Sequence, residues 1–180
     1  VIAAALAERF GLPGPDLESL FKCEHKYWSR LEQQKVAADH IPAFHAFDPF
    51  DEGAFDRLGL VPPFWIKPVK SFRSYLAYQI TDARQFGEIM ETCRARGPAI
   101  TEPFREVMRA YDMPDEITEM RESFLAESSI GGAQCTLEGY AFEGRVVIYG
   151  VVDSVREADG PSFARYEYPS MLPLEIQHRM

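Results

Sequence analysis

Phe64-Trp-Ile-Lys67-Pro68, read together with Leu125-Ala-Glu127-Ser-Ser-Ile130-Gly-Gly, decides the fold. The first stretch is a short apolar run that delivers a lysine into a turn. The second carries one carboxylate, is broken by glycines, and resumes at Cys135-Thr-Leu-Glu138-Gly. A cation and a carboxylate brought by two separate strands suit a nucleotide, whose phosphates need neutralising and whose base and sugar need holding.

Outward from the lysine, Phe64–Val69 and Tyr75–Ile80 read as two strands around the turn Lys70-Ser-Phe-Arg-Ser74. A helix follows, with Thr81 as its cap, Phe86, Ile89, Met90 and Cys93 on one face, and Gly97-Pro98 as its stop. Another helix is expected after Thr101, with Phe104, Val107, Met108 and Tyr111 as its apolar stripe, then a short one over Ile117–Arg121. Upstream, Ile2, Ala5, Leu6 and Phe10 mark a first helix, and Asp16 caps a short second one using Leu17, Leu20 and Phe21. A third, from Glu24 to about Ala38, buries Tyr27, Trp28 and Leu31; a strand at Ala43–Phe47 and a small helix with Phe55 and Leu58 complete this part.

From Ser123 the pattern is strands: Phe124–Ser128, Ala133–Phe142, Arg145–Ser154 and Ser162–Tyr168. Glu143-Gly144 is a two-residue hairpin connection. A strand pair, helices and then antiparallel strands predict an α+β fold rather than repeated βαβ units.

The 180 residues are 46% hydrophobic and 26% charged, a globular composition. A net charge of −9 argues against general nucleic-acid binding, which needs many cations, but not against one small phosphate ligand. Cys23, Cys93 and Cys135 show neither disulfide nor zinc spacing, so a reducing, cytoplasmic setting is expected. No apolar run reaches membrane-spanning length. His25, His40, His45 and His178 are scattered, and Asp48, Asp51, Glu52 and Asp56 lack the ligand spacing of a calcium loop. The chain opens without a Met and stops at Leu174–Met180 inside a helical pattern, so a piece of a longer protein is expected.

Taken together, Phe-Trp-Ile-Lys67-Pro68, Ser71 and Ser74, Leu125-Ala-Glu127-x-x-Ile130-x-Gly, and the hairpin Glu143-Gly-Arg-Val-Val-Ile-Tyr-Gly150-Val-Val-Asp153 resemble the ATP-grasp superfamily. The nearest flavour is the carboxylate–amine ligase branch, alongside carbamoyl-phosphate synthase and biotin carboxylase. Gly11-Leu-Pro-Gly14, Cys23-Glu-His-Lys26 and Tyr166-Glu-Tyr-Pro-Ser-Met-Leu-Pro173 fit the same pattern, so the resemblance spans nearly the whole chain.

The resemblance implies a partial ATP-grasp fold: a helical segment over 1–60, a lid lobe over 61–121 and the truncated start of a catalytic lobe over 122–180. It implies ATP, a small carboxylate substrate and an acylphosphate intermediate attacked by an amine, with magnesium ligands beyond Met180 and a fragment inactive alone. A homodimer is left open. Lys67 and Lys26 match phosphate-contacting lysines, Glu127 the carboxylate beside the adenine, and Ile130 the position whose main-chain N–H meets the ring. Gln134 falls where relatives grip ribose with a carboxylate or histidine, and Glu138 faces either the nucleotide or solvent.

From the residues alone, Lys67 reads equally as a strand-end lysine reaching to water, and Lys26 as a solvated helix residue. One departure stands out: the loop Lys70-Ser-Phe-Arg-Ser-Tyr-Leu76 has no glycine, where relatives bring backbone N–H groups close to phosphates. Either Arg73 or Lys70 supplies charge instead, or the loop has lost its grip. The second outcome describes a non-catalytic nucleotide-binding or scaffolding domain; a plain protein-interaction domain is the third reading.

Overall fold

The structure, a computed structural model, describes residues 1–157 and 163–180. It divides into two compact units, Val1–Ser129 and Ile130–Met180.

The first unit is built on an antiparallel sheet of order β1-β4-β2-β3, with β1 at Phe44–Phe47, β2 at Phe64–Pro68, β3 at Tyr78–Ile80 and β4 at Phe124–Ser128. Alternation along β2 sends Phe64, Ile66 and Pro68 to one buried face and leaves Trp65 and Lys67 half-buried on the other. On the buried face Phe64, Ile66, Phe124 and Ala126 pack with Phe47, Ile80, Phe86, Met90 and Cys93. Complete burial of each large side chain there contributes about 1.5–3 kcal/mol. The helices covering this face are α4 (Ala54–Leu58) and α5 (Ala83–Arg96).

A second core joins α1 (Ile2–Arg9), α2 (Leu17–Glu24), α3 (Lys26–Ala37), α6 (Pro98–Ala110) and α7 (Asp115–Thr118) through Ala4, Leu17, Phe21, Trp28, Phe104, Met108 and Ile117. The α3 helix also meets β1, where Tyr27 and Phe44 stack edge to face at 5.8 Å. It therefore lies on the side of the sheet that carries Trp65, Lys67 and Glu127.

Boundaries differ from expectation for physical reasons. The third helix starts at Lys26 rather than Glu24, because His25 is extended and its Nδ1 accepts from Trp28 N at 3.1 Å as an N-cap. The cap of α5 is Asp82, not Thr81: Asp82 accepts from Gln85 N at 2.8 Å, while Thr81 N donates back to Gln85 Oε1 at 2.7 Å. The α6 helix begins at Pro98, where proline loses nothing at the first helical position. Gly97 is required at this junction, since a Cβ there would meet Cys93 O at 2.6 Å and the Phe124 ring at 2.9 Å. Val107 and Tyr111, expected in the apolar stripe, are exposed. β4 hydrogen-bonds along both β1 and β2, so the first compact unit runs through Ser129.

The second unit is an antiparallel meander of β5 (Cys135–Phe142), β6 (Arg145–Arg156) and β7 (Phe163–Glu167), followed by the single turn α8 (Leu174–Gln177). Glu143 and Gly144 make the predicted hairpin with φ of 47° and 75°, the left-handed pair such a turn requires. Ser162, the first residue of the expected last strand, lies outside the described residues. Asp153 pins the segment after β7 by accepting from Ser170 Oγ at 2.5 Å and Met171 N at 2.8 Å. Among the described residues, no helix is long and apolar enough to cross a membrane.

Candidate functional site

Pairing of β2 with β4 places Trp65 opposite Glu127 and Lys67 opposite Leu125, so Lys67 and Glu127 are diagonal neighbours on one face. Their side chains meet: Lys67 Nζ pairs with Glu127 Oε2. The other oxygen, Oε1, accepts from Arg30 Nε, one turn into α3. The Glu127 side chain is 6% exposed, against 27% for Lys67 and 24% for Arg30. Burial alone raises the Glu127 carboxyl, but the Lys67 ammonium and Arg30 guanidinium outweigh it and hold it below the ordinary glutamate value.

Lys26 completes the cluster. Its backbone N–H donates to Val69 O at 2.8 Å, which ties the start of α3 to the end of β2. Its Nζ donates to Ser71 O at 2.7 Å, a carbonyl rather than a carboxylate. Burial, and then the nearby Lys67 charge, push Lys26 down to about 8, with Glu127 opposing the shift. Lys26 also sits at the positive end of a helix, where a cation is an electrostatic misfit unless an anion joins it. Three cations around one carboxylate leave a surplus of positive charge in a protein of net charge −9.

The loop after β2 follows directly. Lys70 is taken by an ion pair with Glu24 and lies over the Phe104 ring at 5.2 Å. Arg73, Ser74 and Leu76 adopt positive φ of 49°, 56° and 53°. These are conformations that glycine occupies freely and that cost other residues about 1–2 kcal/mol each. Buried Leu76 anchors the loop in the first core, and Tyr75 N→Phe72 O and Ala77 N→Ser74 O bonds of 3.0 Å close its turns. This is why β3 starts at Tyr78 instead of Tyr75.

Of the residues singled out in the sequence, Lys26, Lys67, Ser71 and Glu127 come together in the first unit, and Ser74 lies exposed in the adjoining loop. Ile130, Gln134 and Glu138 belong to the second unit and are exposed; Gln134 Oε1 accepts from Arg156 Nη2 at 2.8 Å. Sequence reasoning missed Arg30. The signal was present, since Arg30 follows Lys26 by four residues and thus shares its helix face. Among the described residues, no group of three or more His, Cys, Asp or Glu converges as a metal site.

No family model matches the chain, and no curated protein matches it by sequence. Solved structures do match its fold. The VanG D-Ala:D-Ser ligase of Enterococcus faecalis superposes with a TM-score of 0.68 at 16% identity, covering 98% of this chain and 48% of that one. The L-amino acid ligase of Bacillus licheniformis gives 0.64 at 21% identity, covering 97% and 35%. The D-alanine–D-alanine ligase of Helicobacter pylori gives 0.61 at 15% identity, covering 98% and 50%. These are ATP-grasp enzymes, and the chain has an α+β fold that corresponds to part of theirs. It spans between about a third and a half of the length of these structures.

Proposed function

We propose that this chain is the nucleotide-binding part of an ATP-dependent carboxylate–amine ligase. The observation that carries the reading is the convergence of Lys26, Arg30 and Lys67 on a single carboxylate, with Lys26 held by a carbonyl alone. A half-buried ammonium in that setting gains most from a polyanion, and the phosphates of ATP are one. The fold likeness to ligases supports the same reading.

In this proposal Lys67 and Lys26 hold phosphate oxygens, and Ser71 and Ser74 line the loop over them. Glu127 accepts from the base. Ile130, Gln134 and Glu138 carry roles at base and ribose by resemblance. The chain's own contribution is binding and charge neutralisation, the principal demand of phosphoryl transfer. Magnesium, when bound with ATP, would add positive charge to the phosphates. No described ligand set here fits it, so no step is assigned to it. The carboxylate substrate, the acylphosphate intermediate, the C–N bond formed and a cytoplasmic setting belong to the parent ligase in the same proposal.

The test is thermal unfolding and calorimetry with Mg-ATP. A site-specific ligand at a hundred times its Kd stabilises by about 2.7 kcal/mol, and Lys67→Ala should weaken binding by roughly tenfold or more. A melting temperature unmoved by millimolar ATP overturns the reading. The glycine-free loop, with its left-handed Arg73 and Ser74, favours one second reading, a nucleotide binder without turnover. ADP formation by the full-length protein with a carboxylate separates the two.

A further inference from the structure

Both oxygens of Glu127 are occupied, and by unequal partners. Arg30 is braced a second time, its Nη1 donating to Gln33 Oε1 at 2.5 Å, and Gln33 Nε2 donates to Ser29 Oγ at 3.3 Å. The guanidinium is thus fixed along α3 itself. Lys67 reaches Glu127 as a point charge on a flexible stem, from a strand end that opens into the loop at Ser71. The carboxylate is also more deeply set than either cation. An anion arriving from the loop side meets Lys67 with a negative charge already attached to it, and must displace that charge to bind.

We propose that Glu127 is an exchangeable counter-ion. It neutralises Lys67 in the free protein and yields it to phosphate oxygens when a polyphosphate enters, while Arg30 is the positioning residue that keeps the carboxylate ionised and in place. The exchange leaves Oε2 open to accept from an N–H donor on the same ligand. Base-free polyphosphate receives no such return and is held back by the Glu127 charge, so the device selects nucleotides over simple polyphosphates. This inference rests on the nucleotide reading and adds regulation to the same site.

The experiment measures binding of inorganic tripolyphosphate and of ATP to the intact chain by calorimetry. Glu127→Gln should tighten tripolyphosphate about fivefold while weakening ATP, because it removes a negative charge near the phosphates and leaves the base a neutral, weaker amide acceptor in place of the carboxylate. A merely structural role for Glu127 would weaken both ligands. Arg30→Met should weaken tripolyphosphate by a similar factor, because Glu127 then binds Lys67 alone; Arg30→Lys should restore part of the loss. The Arg30→Met effect should vanish in the Glu127→Gln background, whereas an arginine that touches phosphate directly would cost the same in either background. Should Glu127→Gln fail to fold, Arg30→Met and Arg30→Lys decide: equal loss in both, or none in either, overturns the proposal. Tripolyphosphate binding unchanged or weakened in a folded Glu127→Gln overturns it while ATP binding by the wild type still stands. Failure of the wild type to bind ATP at all sinks the nucleotide reading instead.

Discussion

Lys26 shows how a surface-looking residue becomes part of a half-buried charge cluster. In the sequence it stands between His25 and Tyr27, and from the residues alone, apart from the family resemblance, it reads as a solvated lysine. In the fold its ammonium donates to Ser71 O, and burial, with a second lysine nearby, brings it down to about 8. Polyphosphate binding favours the charged form. Affinity for Mg-ATP should therefore be greatest below about pH 8 and fall by roughly tenfold as pH rises above it. Lys26→Arg, which stays charged, should flatten that profile. Calorimetric Kd values across this range check it, and a flat wild-type profile would remove Lys26 from the phosphate site.

The α3 helix is where local structure sets site geometry. Its cap is His25, 1% exposed, which accepts from Trp28 N and must be neutral at Nδ1 to do so. Burial, the largest effect, pushes this imidazole down to about 4 from an unfolded value of 6.5. Its contribution is thus fully present above about pH 6.5 and is lost as pH falls towards 4. Acid should cost the fold on the order of 2–3 kcal/mol through this group. His25→Asn keeps a capping oxygen and should abolish that component, which denaturant melts at neutral and mildly acidic pH would reveal as the difference between the two proteins. The same cap aims Lys26 and Arg30, and because its imidazole stays neutral in the folded protein down to about pH 4, nucleotide affinity should weaken through this group only below that pH.

The two compact units differ in how well they are filled. The first holds two clusters of buried apolar side chains, including Phe64, Ile66 and Phe124 at 0% exposure. In the second, Val151 is the buried hydrophobic residue among those described, while Tyr140, Phe142, Val146, Ile148 and Tyr149 are exposed. Protection from hydrogen exchange follows buried packing. Amides of β2 and β4 should therefore exchange at least about tenfold more slowly than those of β5 and β6 in the free protein. Equal protection across both units would contradict the burial pattern.

Much of this was legible residue by residue. Period two around Phe64 and Phe124 defines strands with one apolar face, Glu143-Gly144 defines a hairpin, and the Phe86, Met90, Cys93 stripe defines a helix, because each signal is local. Lys67 and Glu127 stood out in the sequence for the same reason, each being the one charge in an apolar run. What only the tertiary structure decided is which partners those charges meet. Register made Lys67 and Glu127 diagonal neighbours, and the tie between Lys26 N and Val69 O laid α3 across the same face. That docking brought Arg30 to a carboxylate 97 residues away. No local pattern encodes such a separation, because ion pairing depends on where the chain returns in space. The sequence alone determined the strands, the helices and the chemistry available; the fold determined that Glu127 is held between two cations.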